Sequence, residues 1–194
     1  MRICYVFIML LSFVQSSIAQ ETAHLQILNT PNWGTEYFDF PIKFASAIPY
    51  QGYEEAVFPK GWSNKDSIEF WSYAFAWKIE ANIKVTTQVL ELQLETYFDG
   101  LMDIKNRANG STIIPTKASL NNTVSNTNQE YIGAVYFYEG RYTKQMMTLY
   151  TKARLFYCNE ENKLILLFKF SPKNYNTLIW EQLNTITLLD KSCN

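Results

Sequence analysis

The chain has 194 residues, of which 47% are hydrophobic, 16% aromatic and 18% charged, with a formal net charge of −1. That much apolar content with so little net charge excludes a disordered chain, and the balanced charge provides no basic stripe for DNA or RNA. One histidine and three cysteines leave almost no material for a zinc site, and no cofactor is expected.

Residues 1–19 read as a secretory signal peptide. Arg2 supplies the positive start, Cys4–Val14 is an apolar stretch inside the usual range of roughly 7–15 residues, and Ser17-Ile18-Ala19 offers small residues before Gln20. A spanning helix would need about 20 apolar residues. Cleavage near Ala19/Gln20 leaves residues 20–194 as a single domain of net charge −2, periplasmic or extracellular, with no transmembrane segment. The Ala-Gln junction resembles exported proteins of Bacteroidetes-type bacteria. Cys4 leaves with the signal, so Cys158 and Cys193 remain as an even pair in an oxidising compartment. A bridge between them closes a loop worth about 3–4 kcal/mol in the chain-entropy model.

After the turn-like Pro31-Asn32-Trp33-Gly34, residues 36–44 are aromatic and extended, and Pro41 marks an edge or bend. A short strand over 54–58 ends at Pro59-Lys60-Gly61-Trp62. Residues 69–80 read as the clearest strand, with Trp71, Tyr73, Phe75, Trp77 and Ile79 on one face and Ser72, Ala74, Ala76 and Lys78 on the other. The small face suits a closely approaching helix. A long central helix is predicted from Thr86 to about Arg107, with Leu90, Leu94, Tyr97, Phe98, Leu101 and Met102 on one side and Asn109-Gly110 as its stop. The Asn/Ser/Thr-rich stretch 109–129 is expected to be largely a polar loop, with Asn109 and Asn121 in glycosylation patterns should the host be eukaryotic. Strands follow over 130–138, 141–158 and 163–170, divided by turns at Glu139-Gly140 and at 159–162. An amphipathic C-terminal helix is predicted over 174–189.

The expected class is therefore α+β: an antiparallel sheet packed by the central and C-terminal helices. The apolar strand, Ser-Pro and Trp-bearing helix at the end resemble the close of PsbP-like domains. The run FDFPIKFASAIPYQGYEEAVFPKGW, with WSYAFAW after it, resembles a family of exported bacterial proteins. That resemblance implies export and no particular activity.

No GxSxG, P-loop, HExxH, CxxC or GxGxxG is present, and no metal site is expected. Chemistry, if any, would lie in the N-terminal half, where Glu54, Glu55, Asp66 and Glu69 sit among aromatics, as glycoside-cleaving carboxylates do. Glu36 and Asp39 are three apart and face opposite sides of a strand. The alternative is that these acids are solvated charges and the strand aromatics are core. Arg141 and Arg154, with Tyr142, Tyr150 and Tyr157, are a further candidate as an anion clamp, against an ordinary exposed hairpin.

Three readings follow. The first is a non-enzymatic domain binding a small apolar or glycan ligand, or an envelope protein, through Trp33, Tyr37, Tyr50, Tyr53 and Trp62. The second is a carboxylate-based glycan hydrolase. The third is a structural role in envelope assembly, with all aromatics internal.

Overall fold

A computed structural model describes residues 27–103, 114–124, 129–189 and 193. The signal segment and the Asn109-Gly110 stop lie outside them. Among the described residues the protein is mostly antiparallel β-sheet with two helices, an α+β arrangement. In chain order the elements are β1 (Ile27–Leu28), β2 (Gly34–Asp39), a 3₁₀ turn (Lys43–Ala45), β3 (Gly52–Phe58), β4 (Tyr73–Glu80), α1 (Thr87–Met102), β5 (Lys117–Val124), β6 (Gln129–Glu139), β7 (Gln145–Cys158), β8 (Lys163–Ser171), α2 (Leu178–Thr185) and β9 (Thr187–Leu188). Seven strands form one sheet in the order β2-β3-β4-β8-β7-β6-β5, and β1 pairs with β9 in a separate ribbon. Among the described residues no helix is long and apolar enough to cross a membrane.

Register assigns the two faces. Phe38 opposes Glu54, Glu54 opposes Trp77 and Phe75 opposes Phe168, so these side chains share one face. The first core lies there, joining Tyr73, Phe75, Trp77, Phe168 and Phe170 with Leu90, Leu94, Tyr97, Phe98 and Met102 of α1. Rings of Tyr97 and Phe75 stack at 5.0 Å, and Phe98 meets Phe137 at 4.9 Å. The opposite face carries the small residues Ala74 and Ala76, which pack in a second core with Ile165, Leu167 and the α2 residues Ile179, Trp180 and Leu183. The helix that approaches the small face is therefore the C-terminal one.

Several boundaries differ from the sequence expectation. The clearest strand begins at Tyr73, because Trp71 sits at φ 50°, in the left-handed region, and closes a loop by donating its N–H to Trp62 O at 3.0 Å. Helix α1 ends at Met102, where Asp103 turns left-handed and its N–H caps Asp99 and Gly100 carbonyls. The C-terminal helix is only eight residues long, and residues 187–188 leave it to pair with β1.

The largest correction is β5. The composition of residues 117–124 predicts a polar loop, yet they form an edge strand of the sheet. An edge leaves alternate N–H groups unpaired. Here a stripe of acids on α1, spaced by four, accepts them: Asp99 takes Thr116 N–H at 2.9 Å, Glu95 takes Ala118 N–H at 3.1 Å and Glu91 takes Leu120 N–H at 2.8 Å. These hydrogen bonds hold the strand in place together with Leu120, which is buried in the first core.

Cys158, at the end of β7, is disulfide-bonded to Cys193. The sequence pairing is thus present, tying the far end of the chain to the second core.

Candidate functional site

The first core does not close completely. At the β2–β3 margin a cavity of about 150 Å3 remains, lined by Phe38, Phe58, Trp62, Tyr73 and Tyr97, with Glu36 and Arg141 as its charged residues. Each wall has a separate origin. Strands β2 and β3 carry Glu36, Phe38 and Phe58; β4 carries Tyr73; α1 carries Tyr97.

Trp62 comes from the loop between β3 and β4. That loop is stapled by Glu69, whose Oε2 accepts the Gly61 N–H at 2.8 Å. The Trp62 ring then meets Phe58 at 5.8 Å, Tyr73 at 6.2 Å and Tyr142 at 6.0 Å. Arg141 comes from the β6–β7 turn. The buried Glu139 carboxylate organises this turn by accepting the N–H groups of Arg141, Tyr142 and Thr143 at 2.6–3.1 Å, together with the Thr143 hydroxyl. The guanidinium donates to Leu101 O at 2.9 Å, which fastens the turn to the end of α1.

Two of the lining residues carry a polar atom without a partner. The Tyr73 hydroxyl and the Trp62 indole N–H are both buried and have no hydrogen-bond partner among the described residues. A buried donor left unpaired costs about 1–3 kcal/mol. Tyr97 is different: its hydroxyl donates to Glu54 Oε1 at 2.8 Å, while Trp77 Nε1–H donates to Glu54 Oε2 at 2.7 Å. Glu54 is fully buried, and that burial pushes its carboxyl up to about 7 despite these two hydrogen bonds. Glu54 also holds the Tyr73 and Tyr97 hydroxyls well above their ordinary range, adding to the larger effect of burial.

The four acids considered for catalysis are dispersed. Glu54 lies behind Tyr97, off the cavity wall. Glu55 is its strand neighbour and so points to the other face, where burial raises it to about 7 against the easing effect of the Ile27 N–H. Neither is a solvated surface charge, as the plainer sequence reading had it. Glu69 staples the loop, and Asp66 is exposed within it.

The five aromatics considered for binding are dispersed as well. Trp62 lines the cavity. Trp33 meets it only in a separate shallow hollow beside Pro59 and Lys60. Tyr50 is buried against Trp77 and Phe40. Tyr53 packs against the second core. Tyr37 is 48% exposed on the edge strand. The period-two pattern marks Tyr73 as core, and nothing local in the sequence marks Phe38, Phe58 and Tyr97 as lining a cavity. Arg141 is not joined by Arg154, which stands on the opposite face of the sheet, across from Leu167.

Among the described residues no group of three or more His, Cys, Asp or Glu is placed to hold a metal ion. No protein-family model, curated protein or solved structure matches the chain.

Proposed function

We propose that this is a non-enzymatic binding domain that holds a small ring-shaped ligand, a sugar residue or an aromatic acid, in the cavity at the β2–β3 margin. One observation carries the reading: Tyr73 and Trp62, which line an aromatic cavity, each hold a buried donor without a partner among the described residues. Aromatic faces stack on a ring, and unpaired donors take an oxygen of the ligand. A cavity of this volume matches one that accepts benzene. Arg141 at the wall favours a partly negative oxygen.

The hydrolase reading has less support. Glycoside cleavage uses two carboxyl groups flanking one bond, and Glu36 is the cavity's single lining carboxylate among the described residues. Within the same proposal, α1 is the layer that closes this face of the sheet, and its ring contacts with Phe75, Phe137 and Phe170 support that placement. Export belongs to the proposal too, supported by the Cys158–Cys193 bridge, which persists in an oxidising compartment.

The test is a titration followed by tryptophan fluorescence and saturation-transfer NMR, using glucose, N-acetylglucosamine, benzoate and 4-hydroxybenzoate. One class perturbs Trp62 emission and saturates. Tyr73→Phe weakens that binding about fivefold, the worth of one hydrogen bond, while leaving the protein at least as stable. No perturbation by either class, or equal affinity in Tyr73→Phe, overturns the proposal.

A further inference from the structure

The face of the sheet away from α1 has its own hollow, of about 340 Å3, where β6, β7 and β8 pass the last turn of α2. Its charged side chains are Lys152, Arg154, Lys169 and Glu130, over Ile132 and Leu167. Lys152 and Lys169 are direct register partners on β7 and β8, and Arg154 follows two residues on, opposite Leu167. All three cations therefore leave one face side by side. Like charges directly opposite one another in an antiparallel pair are destabilising, so this placement requires a reason.

Nearby groups position the two lysines. Lys152 Nζ donates to Asn184 Oδ1 at 2.9 Å and lies 5.4 and 5.3 Å over the rings of Tyr175 and Trp180. Lys169 Nζ reaches Asn184 O at 3.4 Å, a weak bond to the negative end of α2. Glu130 is the one carboxylate on the hollow among the described residues, and its contact with Arg154, 3.6 Å between half-exposed groups, is weak. Burial, with Lys152 and Arg154 adding to it, brings the Lys169 ammonium down to about 8. A concave floor with three cations and one acid focuses a positive field outward.

We propose that this hollow binds an oxyanion, a phosphate or sulfate ester carried on a molecule of sugar size. Arg154 offers a planar fork suited to such a group, and the lysines supply point charges. The volume lies at the small end of the range of about 300–1,000 Å3 that holds small-molecule ligands, and leaves room for the carrier. The site is separate from the aromatic cavity and does not rest on the reading given to it.

The test uses the whole mature chain at one ionic strength set with chloride. Thermal melts and calorimetry are run with inorganic phosphate, inorganic sulfate, glucose 6-phosphate and glucose 6-sulfate. The esters bind saturably and raise Tm beyond chloride, and the inorganic ions bind more weakly. Binding as tight by the inorganic ions keeps the oxyanion site and assigns it to the free anion. K152M and K169M each weaken binding at least tenfold, and K169M alone raises Tm in low-salt chloride by removing a like charge. R154M provides a second route to the same loss, and glucose without an ester group, titrated alongside, separates any sugar held in the aromatic cavity from binding at this hollow. Equal Tm effects from chloride and the esters, unchanged affinity in the lysine and arginine variants, or a lower Tm for K169M overturns the proposal.

Discussion

Glu54→Gln isolates the cost of burying a carboxylate behind Tyr97. The carboxyl is fully buried and rises from its ordinary 4.5 to about 7, with burial outweighing the Trp77 and Tyr97 hydrogen bonds. A raised folded-state value means the native protein holds a proton that the unfolded chain releases first. The stabilisation is complete below pH 4.5 and is lost as pH rises through 7. The loss amounts to about 3 kcal/mol, at up to about 1.4 kcal/mol per pH unit. Glutamine reproduces the protonated form: its carbonyl faces the Trp77 N–H and its amide donates to the Tyr97 oxygen.

The variant should therefore lie within about 1 kcal/mol of the parent at pH 5 and exceed it by about 3 kcal/mol at pH 9. Urea unfolding followed by tryptophan fluorescence at each pH unit from 5 to 9, with the disulfide intact, measures the difference. Glu55 shifts in the same direction, but it is present in both proteins and cancels. A difference that stays flat with pH refutes the reasoning. So does a parent that gains on the variant as pH rises, since the two hydrogen bonds to the charged form would then outweigh its desolvation.

Glu139→Ala removes the acceptor of three turn N–H groups; a loss of about 2–3 kcal/mol is expected, with faster hydrogen exchange at Arg141–Thr143, and unchanged exchange there would count against the turn's dependence on it. Gly100→Ala places a Cβ into the Phe44 carbonyl; thermal melts should show about 1–3 kcal/mol of destabilisation, whereas a gain of about 1 kcal/mol from helix propensity would contradict the close approach. Serine at both Cys158 and Cys193 should cost about 3–4 kcal/mol in urea unfolding, and a cost below about 1 kcal/mol would remove the bridge from the stability argument. Alanine at both Glu91 and Glu95 should cost about 2 kcal/mol together and speed exchange at Ala118 and Leu120; protection equal to the parent would show that the stripe does not hold the edge.

What the sequence reveals follows the range of the forces involved. The β6–β7–β8 hairpins are legible because their signals are local: a glycine turn at 140, a polar turn at 159–162 and apolar strands between them. The cysteine pair is legible by counting. Strand β5 is not, because KASLNNTV has a loop's composition and is held by Asp99, Glu95 and Glu91 from another element. Trp71 misleads because its period-two position suits a strand while its backbone is left-handed. Glu54 misleads because adjacent acids at 54 and 55 look solvated until two sheet faces are both covered. The cavity is illegible for the same reason: its walls come from β2, the 3₁₀ turn, β3, the loop after it, β4, α1 and the β6–β7 turn.

The aromatics of the first face supply the argument for reading that cavity as a binding site. Toward the middle of the sheet the rings are Phe75, Phe168 and Phe170, with Phe98 and Phe137 beside them, and none has a polar end to satisfy. Where Trp77 and Tyr97 enter, Glu54 is buried to receive both. The fold thus accepts a costly carboxyl to pair two aromatic donors, yet a few ångströms on it leaves the Tyr73 hydroxyl and Trp62 N–H unpaired. An unpaired donor alone would prove little, since Tyr50, Trp71 and Tyr131 also hold one away from this cavity. The coincidence with open volume is what matters. Phenylalanine at 73 would keep the stack on Phe170 at 5.1 Å and avoid about 1–3 kcal/mol. On the proposed binding reading, a hydroxyl kept at that cost by a residue lining a space large enough for a ring would find its partner on a ligand.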